Sequence, residues 1–344
     1  MPDDVLSRAL RRATTLARRG PQRGGNPRVG CVILDSTGRT VAEGWHRGAG
    51  TAHAEAAALA AADRARLRGA TAVVTLEPCH HTGRTPPCSV SLHAAGITRV
   101  VYAVRDPDPV AAGGARWLAA QGLDVRTARE TGMPDDVLRE ADALTDAWVA
   151  STERRRPWVL GKMAVSLDGR VAAADHTSRW ITGQDARRHA HTVRRDVDAI
   201  VVGTGTVIAD DPALTARRED GTPEDHQPLR VVVGRRPVPA AAAVRRGPGN
   251  WLHLTTHDVP SVLARLWDVG ARRVLLEGGP TLLGAAVRAG LVDELHTYLA
   301  PVLLGAGLSA VPDLGVSTLA EAHRRHRTEA HPLGQDVLVV TRQP

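Results

Sequence analysis

The sequence predicts an α/β fold in both halves of a two-domain chain, and three observations carry that expectation. The chain has 344 residues, more than one ordinary core organises. Short apolar runs of strand length alternate with helix-period segments through most of it. A polar, Pro-terminated stretch, Ser151-Thr-Glu-Arg-Arg-Arg-Pro157, interrupts that alternation. The boundary is placed near residue 153, giving domains over 1–152 and 153–344.

In the first half, the Arg-rich segment 1–20 carries Asp3 and Asp4 and lacks an apolar signal core, so it reads as the first helix of a cytoplasmic protein. Apolar runs at 29–34 and 40–45 flank Asp35-Ser36-Thr37-Gly38, a hairpin signal. An Ala-rich helix is expected over 54–68, then a strand at 71–76, a helix at 89–95 and a strand at 99–104. A crossover helix at 113–121, a short strand at 123–126 and a closing helix at 135–150 complete the domain. The second half predicts strands at 158–165, 199–203, 229–233, 273–277, 294–300 and 337–341. Helices are expected at 184–195, 259–268 and 280–289, with loops at 216–228 and 235–249.

Composition narrows the function. Hydrophobic residues make up 43% and charged residues 24%, an ordinary globular balance, and no apolar run approaches the roughly 18 residues a spanning helix needs. Three cysteines cannot form a disulfide framework and suit a reducing compartment, where cysteine serves better as a ligand. The net charge of +7 comes without a run of five or more basic residues or aromatic interleaving, so it points to phosphorylated small ligands rather than nucleic acid.

His53-Ala54-Glu55, Pro78-Cys79 and Cys88 supply one imidazole and two thiols, a set that leaves tetrahedral Zn²⁺ an open, catalytic position. Two thiolates neutralise the dication while the metal still lowers the pKa of bound water. Glu55 is then the catalytic proton carrier. Because His53 and Glu55 would project about 200° apart on a helix, they can share a site only at its end. Zinc nucleobase deaminases use an H-x-E and P-C-x-x-C arrangement; here eight residues separate the cysteines.

Cys79-His-His-Thr-Gly-Arg-Thr-Pro-Pro-Cys88, with Asn26-Pro-Arg-Val-Gly30 before it and Asp106-Pro-Asp-Pro109 after it, resembles the bifunctional riboflavin-biosynthesis deaminase/reductase family. Lys162-Met-Ala-Val-Ser-Leu-Asp-Gly169, Ser178-Arg-Trp-Ile-Thr182, Asp210-Asp-Pro-Ala-Leu-Thr215 and Glu277-Gly-Gly-Pro-Thr281 extend the resemblance over nearly the whole chain. It implies a cytidine-deaminase-like three-layer α/β/α domain followed by a dihydrofolate-reductase-like α/β domain. The implied reactions are zinc-dependent deamination of 2,5-diamino-6-ribosylamino-4(3H)-pyrimidinone 5′-phosphate, then NADPH-dependent reduction of the ribosyl to a ribityl group.

By the same resemblance Asn26, His46, His81, Arg84, Thr85, Asp106 and Asp108 would line the deaminase pocket. Arg84 would offer a phosphate fork. Asp108 stands where the family commonly has Asn, and Ala52 where Pro is usual. Ala164, Trp180, Thr206 and Asp210 would lie beside NADPH, and Ser178, Arg194, Leu214, Arg217 and Glu277 beside the ribose phosphate and pyrimidine. The strand running into Gly278-Gly279-Pro280-Thr281 and then a helix points backbone N–H groups at an anion, which suits a pyrophosphate. Arg235, where the family commonly has Asp-Ser nearby, could hold the cofactor's 2′-phosphate. A homo-oligomer is expected.

Lys162, the one lysine among 44 basic residues, shares a strand face with Trp158, Leu160 and Ala164. A charged amine in that apolar row needs a specific partner, which makes Lys162 a candidate substrate or cofactor contact; an edge-strand lysine reaching water is the alternative. A competing class, a nucleic-acid or nucleoside deaminase with a non-enzymatic basic C-terminal module, leaves the Glu277-Gly-Gly turn without a role. The aromatic content of 3% would give it few base-stacking platforms.

Overall fold

The computed structural model describes residues 3–82 and 86–344. Two compact units divide the chain, the first ending at Arg155 and the second running Arg156–Pro344.

The first unit contains α1 (Asp3–Ala17), β1 (Gly30–Leu34), β2 (Thr40–Trp45), α2 (Ala54–Ala61), β3 (Thr71–Leu76), α3 (Cys88–Ala94), β4 (Arg99–Val104), α4 (Gly114–Ala120), β5 (Asp124–Thr127) and α5 (Asp135–Arg154). Its sheet has the order β2-β1-β3-β4-β5, antiparallel among the first three strands and parallel from β3 to β5. Every residue of β1 and β3 is buried because both faces of the sheet are covered. Val32, Leu34, Val73 and Val101 pack with α1 and α5 through Leu6, Leu10, Val137 and Leu138. The alternate residues Cys31, Ile33, Ala72 and Val74 pack with Ala54, Ala58, Leu92 and Leu118 of α2, α3 and α4. This is the expected three-layer architecture, read directly from the period of two along each strand.

The second unit contains β6 (Trp158–Ser166), β7 (Arg170–Ala172), α6 (Gln184–Arg195), β8 (Ala199–Gly203), α7 (Thr204–Asp210), β9 (Leu229–Val233), β10 (Trp251–Leu254), α8 (Val259–Asp268), β11 (Arg273–Leu276), α9 (Pro280–Arg288), β12 (Glu294–Ala300), β13 (Leu308–Ser309), β14 (His326–Leu333) and β15 (Asp336–Arg342). Its main sheet runs β10-β9-β8-β11-β6-β12-β15-β14, and β13 pairs with β7 apart from it. The strands from β10 to β12 are parallel, and β15 and β14 close the sheet as an antiparallel hairpin. Val159, Val201, Val231 and Val274 meet α8 and α9 on one face. Leu160, Ile200, Val232 and Leu275 form the core of the other, with Val193 of α6 and Val207 of α7. This parallel sheet with its terminal hairpin is the dihydrofolate-reductase-like class expected.

Three expectations need correction. The helix expected over 54–68 stops at Ala61: Ala62 is extended, and the Asp63 side chain accepts the Ala65 N–H to start a separate 3₁₀ turn at Arg64–Arg66. The closing helix continues into the stretch read as a linker, because Ser151 points inward at 2% exposure, and it ends on left-handed Arg155. Strands β7, β10, β13 and β14 and helix α7 escaped the sequence reading. β14 carries Pro332 and polar residues that only an edge strand tolerates.

Because each unit has its own core, fragments 1–155 and 156–344 should each unfold cooperatively when heated, as followed by circular dichroism. A fragment ending at residue 150 discards the last turn of α5 and should melt lower than 1–155. Equal melting of these two fragments would place the end of the unit before Ser151.

Candidate active sites

In the first unit the chemistry collects where β3 ends and two helices begin. His53 is the N-cap of α2, extended at φ −64° and ψ 160°, and Glu55 lies in that helix's first turn. This placement lets the two side chains share one site despite their separation around the helix. Cys79 follows β3, and Cys88 opens α3. His53 Nδ1 lies 3.5 Å from Cys79 Sγ and 3.4 Å from Cys88 Sγ, and all three ligand atoms are within 4.8 Å of one another. With Zn–S near 2.3 Å and Zn–N near 2.0 Å, tetrahedral geometry separates N and S by about 3.5 Å, so His53 Nδ1 already stands at zinc-ligand spacing from both sulfurs. The Cys88 backbone N–H also points at Cys79 Sγ. A hydrogen bond from the Cys88 thiol, and then the neighbouring His53, hold the Cys79 thiol well below the usual thiol range. Donating that thiol proton to Cys79, together with burial, pushes Cys88 up.

Glu55 is 3% exposed, and burial pushes its carboxyl up to about 7, the range in which a carboxyl both takes and gives protons. His46 stands beside His53 with ring centres 5.6 Å apart. Its Nδ1 faces the Ala52 carbonyl at 3.1 Å and its Nε2 faces the Asn26 amide nitrogen at 3.1 Å. A carbonyl can only accept, and the amide nitrogen can only donate, so His46 is neutral with its proton on Nδ1; burial lowers its pKa.

Asp106 and Asp108 lie on the loop after β4. Burial pushes Asp106 up to about 6, with the Asp108 and Glu77 charges adding to the effect. Asp106 Oδ1 accepts the Asp108 N–H, and Asp108 Oδ1 accepts the Val110 N–H, so Asp108 is engaged in shaping its own turn. His81 keeps a buried Nδ1 without a hydrogen-bond partner among the described residues. Arg84 and Thr85 lie outside those residues.

The sequence reading missed Glu77. Its buried carboxylate accepts backbone N–H groups from Asp106, Gly113 and Ala115, at 3.3, 3.1 and 3.1 Å. It thereby fastens the Asp106 loop and the start of α4 beside the cysteine ligand. Gly114 completes the fit, since a Cβ there would stand 1.7 Å from the Pro78 carbonyl oxygen. A glutamate beside a Pro-Cys pair was the available signal.

In the second unit, Glu277 follows β11 with its side chain 9% exposed. Arg194 of α6 grips it in a fork, Nε and Nη2 at 2.7 and 2.8 Å, and Lys162 of β6 approaches at 3.4 Å. Burial alone would raise this carboxyl; Arg194 and then Lys162 outweigh it and hold it at about 2. Lys162 therefore has the specific partner its apolar row demands, and β6 is an interior strand, which removes the edge-strand alternative. Arg194 also donates to the Thr215 carbonyl, so its fork is committed to Glu277 and the chain rather than to a phosphate.

Thr206 of α7 accepts the Gly279 N–H at 2.9 Å. Gly279 is the N-cap of α9 and makes no side-chain cap, and Pro280 fills the first turn. A Cβ on Gly278 would stand 3.2 Å from the Gly203 nitrogen, which explains the glycine. Asp210 ends α7, its carbonyl accepting from Arg179, and Arg187 stacks 4.6 Å over exposed Trp180. Ala164 shares the face of β6 with Lys162. Leu214 is buried and left-handed at φ 54°. Exposed Arg217 lines a cavity of about 380 Å³ with Thr215, Gly221, Arg246 and Pro248. Buried Arg230 anchors the Arg246 loop by donating to the carbonyls of Arg246 and Gly249. Ser178 is half-buried and Thr281 exposed, and Arg235 is exposed just after β9. His191, one turn before Arg194, was also missed; burial and the nearby Arg194 charge lower its pKa.

The family described as RibD C-terminal domain matches residues 157–339, and the family described as cytidine and deoxycytidylate deaminase zinc-binding region matches residues 4–104. The riboflavin biosynthesis protein RibD of Mycobacterium tuberculosis (strain H37Rv) is 46% identical over 91% of this chain and 90% of its own. The chain belongs to the RibD family. The Escherichia coli K12 RibD is 37% identical over 95% of this chain and 96% of its own. Acinetobacter baumannii RibD superposes with a TM-score of 0.89 at 33% identity, covering 100% of both chains. A Thermotoga maritima structure described as a diaminohydroxyphosphoribosylaminopyrimidine deaminase/5-amino-6-(5-phosphoribosylamino)uracil reductase superposes at 0.87 with 30% identity over 99% of each.

Two outcomes follow for this RibD-family chain. Metal analysis of purified protein should find zinc retained in Glu55→Gln and lost in Cys79→Ser, because one change spares the ligand set and the other weakens it; zinc retained in both would contradict the ligand assignment. Glu77→Gln turns an acceptor of three N–H groups into a group that must present N–H to one of them. Urea unfolding of the 1–155 fragment should show a loss of about 1–3 kcal/mol, and an unchanged midpoint would show that the carboxylate is not the clamp.

Proposed function

We propose that the chain deaminates 2,5-diamino-6-ribosylamino-4(3H)-pyrimidinone 5′-phosphate in its first unit and reduces the ribosyl group of the product to ribityl in its second, using NADPH. The observation that carries this reading is the coexistence of two built sites: a His53-Cys79-Cys88 set at zinc spacing beside a proton-carrying Glu55, and a half-buried Lys162-Glu277-Arg194 cluster beside a glycine-rich helix start.

In the deaminase, zinc when bound supplies acidified water next to the substrate. Glu55 takes one proton of that water and passes it to the ring nitrogen, then carries the second, from the newly added hydroxyl, to the departing ammonia, a task its raised pKa suits. His46 and Asn26 fix the backbone that presents His53, while His81 and Asp106 line the pocket, Asp108 shaping the loop that carries Asp106. Arg84 and Thr85 would complete the phosphate end.

In the reductase, NADPH supplies hydride. The Gly278–Thr281 turn offers it first-turn amides, with Thr206, Asp210, Ala164 and Trp180 around it and Arg235 for the 2′-phosphate. Arg217, Leu214 and Ser178 flank the ribose phosphate. Arg194 sets Glu277, and Glu277 sets the Lys162 ammonium toward the substrate oxygens.

No helix among the described residues is long and apolar enough to cross a membrane. Free cysteines, two of them ligand candidates, support work in the cytoplasm, and a positive charge scattered rather than gathered in runs of five or more favours small phosphorylated substrates. Exposed Leu167, Val302 and Leu303, joined where the Leu167 N–H meets the Val302 carbonyl, support a homo-oligomer.

Incubation of the full chain with the diaminopyrimidine should yield the deaminated ribosyl compound without NADPH and the ribityl compound with it, resolved by mass analysis. Recovery of unchanged substrate under both conditions would sink the reading. Lys162→Arg should cut reductase kcat/KM at least about tenfold, roughly 1.4 kcal/mol, because a planar fork cannot replace a compact ammonium beside Glu277. Deamination should be untouched. Near-normal reduction by Lys162→Arg would return this lysine to a packing role.

A further inference from the structure

Opening a ribosyl ring by reduction consumes a proton as well as a hydride. The C1′–O4′ bond breaks, hydride forms the new C1′–H bond, O4′ takes the proton, and NADPH is oxidised to NADP⁺. The question of where that proton comes from rests on the reductase reading above.

Strand β12 places Glu294, His296 and Tyr298 on one face, and the parallel register sets His296 against Lys162 and Tyr298 against Ala164. Tyr298 is 1% exposed. A buried phenol needs a partner for its hydroxyl, and Tyr298 finds it on a different element: its oxygen lies 2.8 Å from Nδ1 of His189 on α6. On the inner side, Lys162 Nζ stands 5.8 Å from the Tyr298 ring centre while bridging to Glu277. On the outer side, His189 is half-buried, and β14 contributes the exposed Glu329–His331 pair, 2.6 Å apart, whose charges reach His189.

The titratable groups around this pair are Glu294 and His296 on β12, Lys162 on β6, Arg194 on α6, Glu277 after β11, and Glu329 and His331 on β14. Glu294 is already tied to His296, Arg273 and Arg342. The His296 and His189 ring centres are 6.3 Å apart, beyond a hydrogen bond. The hydroxyl of Tyr298 therefore leads to the half-buried His189. Burial, reinforced by Glu277, raises the Tyr298 pKa and keeps the phenol protonated, while burial and then His296 lower that of His189 and keep it neutral near neutral pH. A hydroxyl that both accepts and donates, next to a neutral imidazole, is a relay.

We propose that Tyr298 and His189 form the proton-supply path of the reductase site, His189 taking protons from solvent and Tyr298 handing them on toward the Lys162–Glu277–Arg194 cluster. They are positioning residues for the proton and need not touch substrate.

The test measures single-turnover NADPH oxidation by the full chain on the deaminated substrate, with NADPH affinity followed separately by fluorescence titration. Tyr298→Phe and His189→Ala should each slow the turnover about tenfold or more while NADPH affinity and the KM for the pyrimidine stay within about twofold. Added imidazole should restore His189→Ala, and the pH dependence of its rate should lose the limb that His189 supplies. Tyr298→Phe turning over within about twofold of wild type would overturn the proposal. So would a His189→Ala defect that imidazole does not relieve and that appears in binding instead. Wild-type protein that oxidises no NADPH with this substrate would instead remove the reductase reading itself.

Discussion

Both sites depend on where parallel strands stop. A parallel strand must be followed by a crossover, so at its carboxyl end the chain leaves the sheet as a loop and a helix N-terminus, bringing unpaired amides and polar side chains to one edge. In the first unit β3 delivers Glu77 and Cys79 there, β4 delivers Asp106, and α2 and α3 begin there with His53 and Cys88. In the second, β8 leads into α7 with Thr206, β9 into Arg235, and β11 into Glu277 and the glycines of α9. Every other feature of the sites, from the Glu77 clamp to the Arg194 fork, refines positions that strand direction has already chosen.

Burial then divides the carboxylates by the company they keep. Glu277 and Glu294 are buried among cations and are held at about 2 despite desolvation, so each is a fixed negative charge that orients its neighbours. Glu55 is equally buried, and desolvation dominates, pushing it up to about 7. The same physical cost produces a permanent anion where Arg or Lys faces the group and a proton carrier where none does. Glu77 follows a third course, spending its charge on backbone N–H groups.

Much of this was legible in the sequence because it is local. The short apolar runs at 71–76 and 99–104 marked the strands, the spacing of His53, Glu55, Cys79 and Cys88 marked the metal set, and a single lysine in an apolar row marked Lys162. What escaped depends on partners distant in the chain. The helix ended at Ala61 because Asp63 caps a new turn, and α5 ran on because Ser151 faces a core. Strand β14 forms because β15 offers it an edge. The commitment of Arg194 to Glu277, and the meeting of His189 with Tyr298, span 83 and 109 residues and leave no mark in either local sequence.

The central claim is that one chain carries two chemically independent sites, one resting on Glu55 and the other on Lys162. Its most direct test mixes the purified Glu55→Gln and Lys162→Ala proteins with the diaminopyrimidine and NADPH and identifies the products by mass. The account predicts that Glu55→Gln alone leaves the substrate untouched, that Lys162→Ala alone stops at the deaminated ribosyl compound, and that the mixture carries the substrate through to the ribityl product. Ribityl product from either variant alone, or none from the mixture, would contradict it.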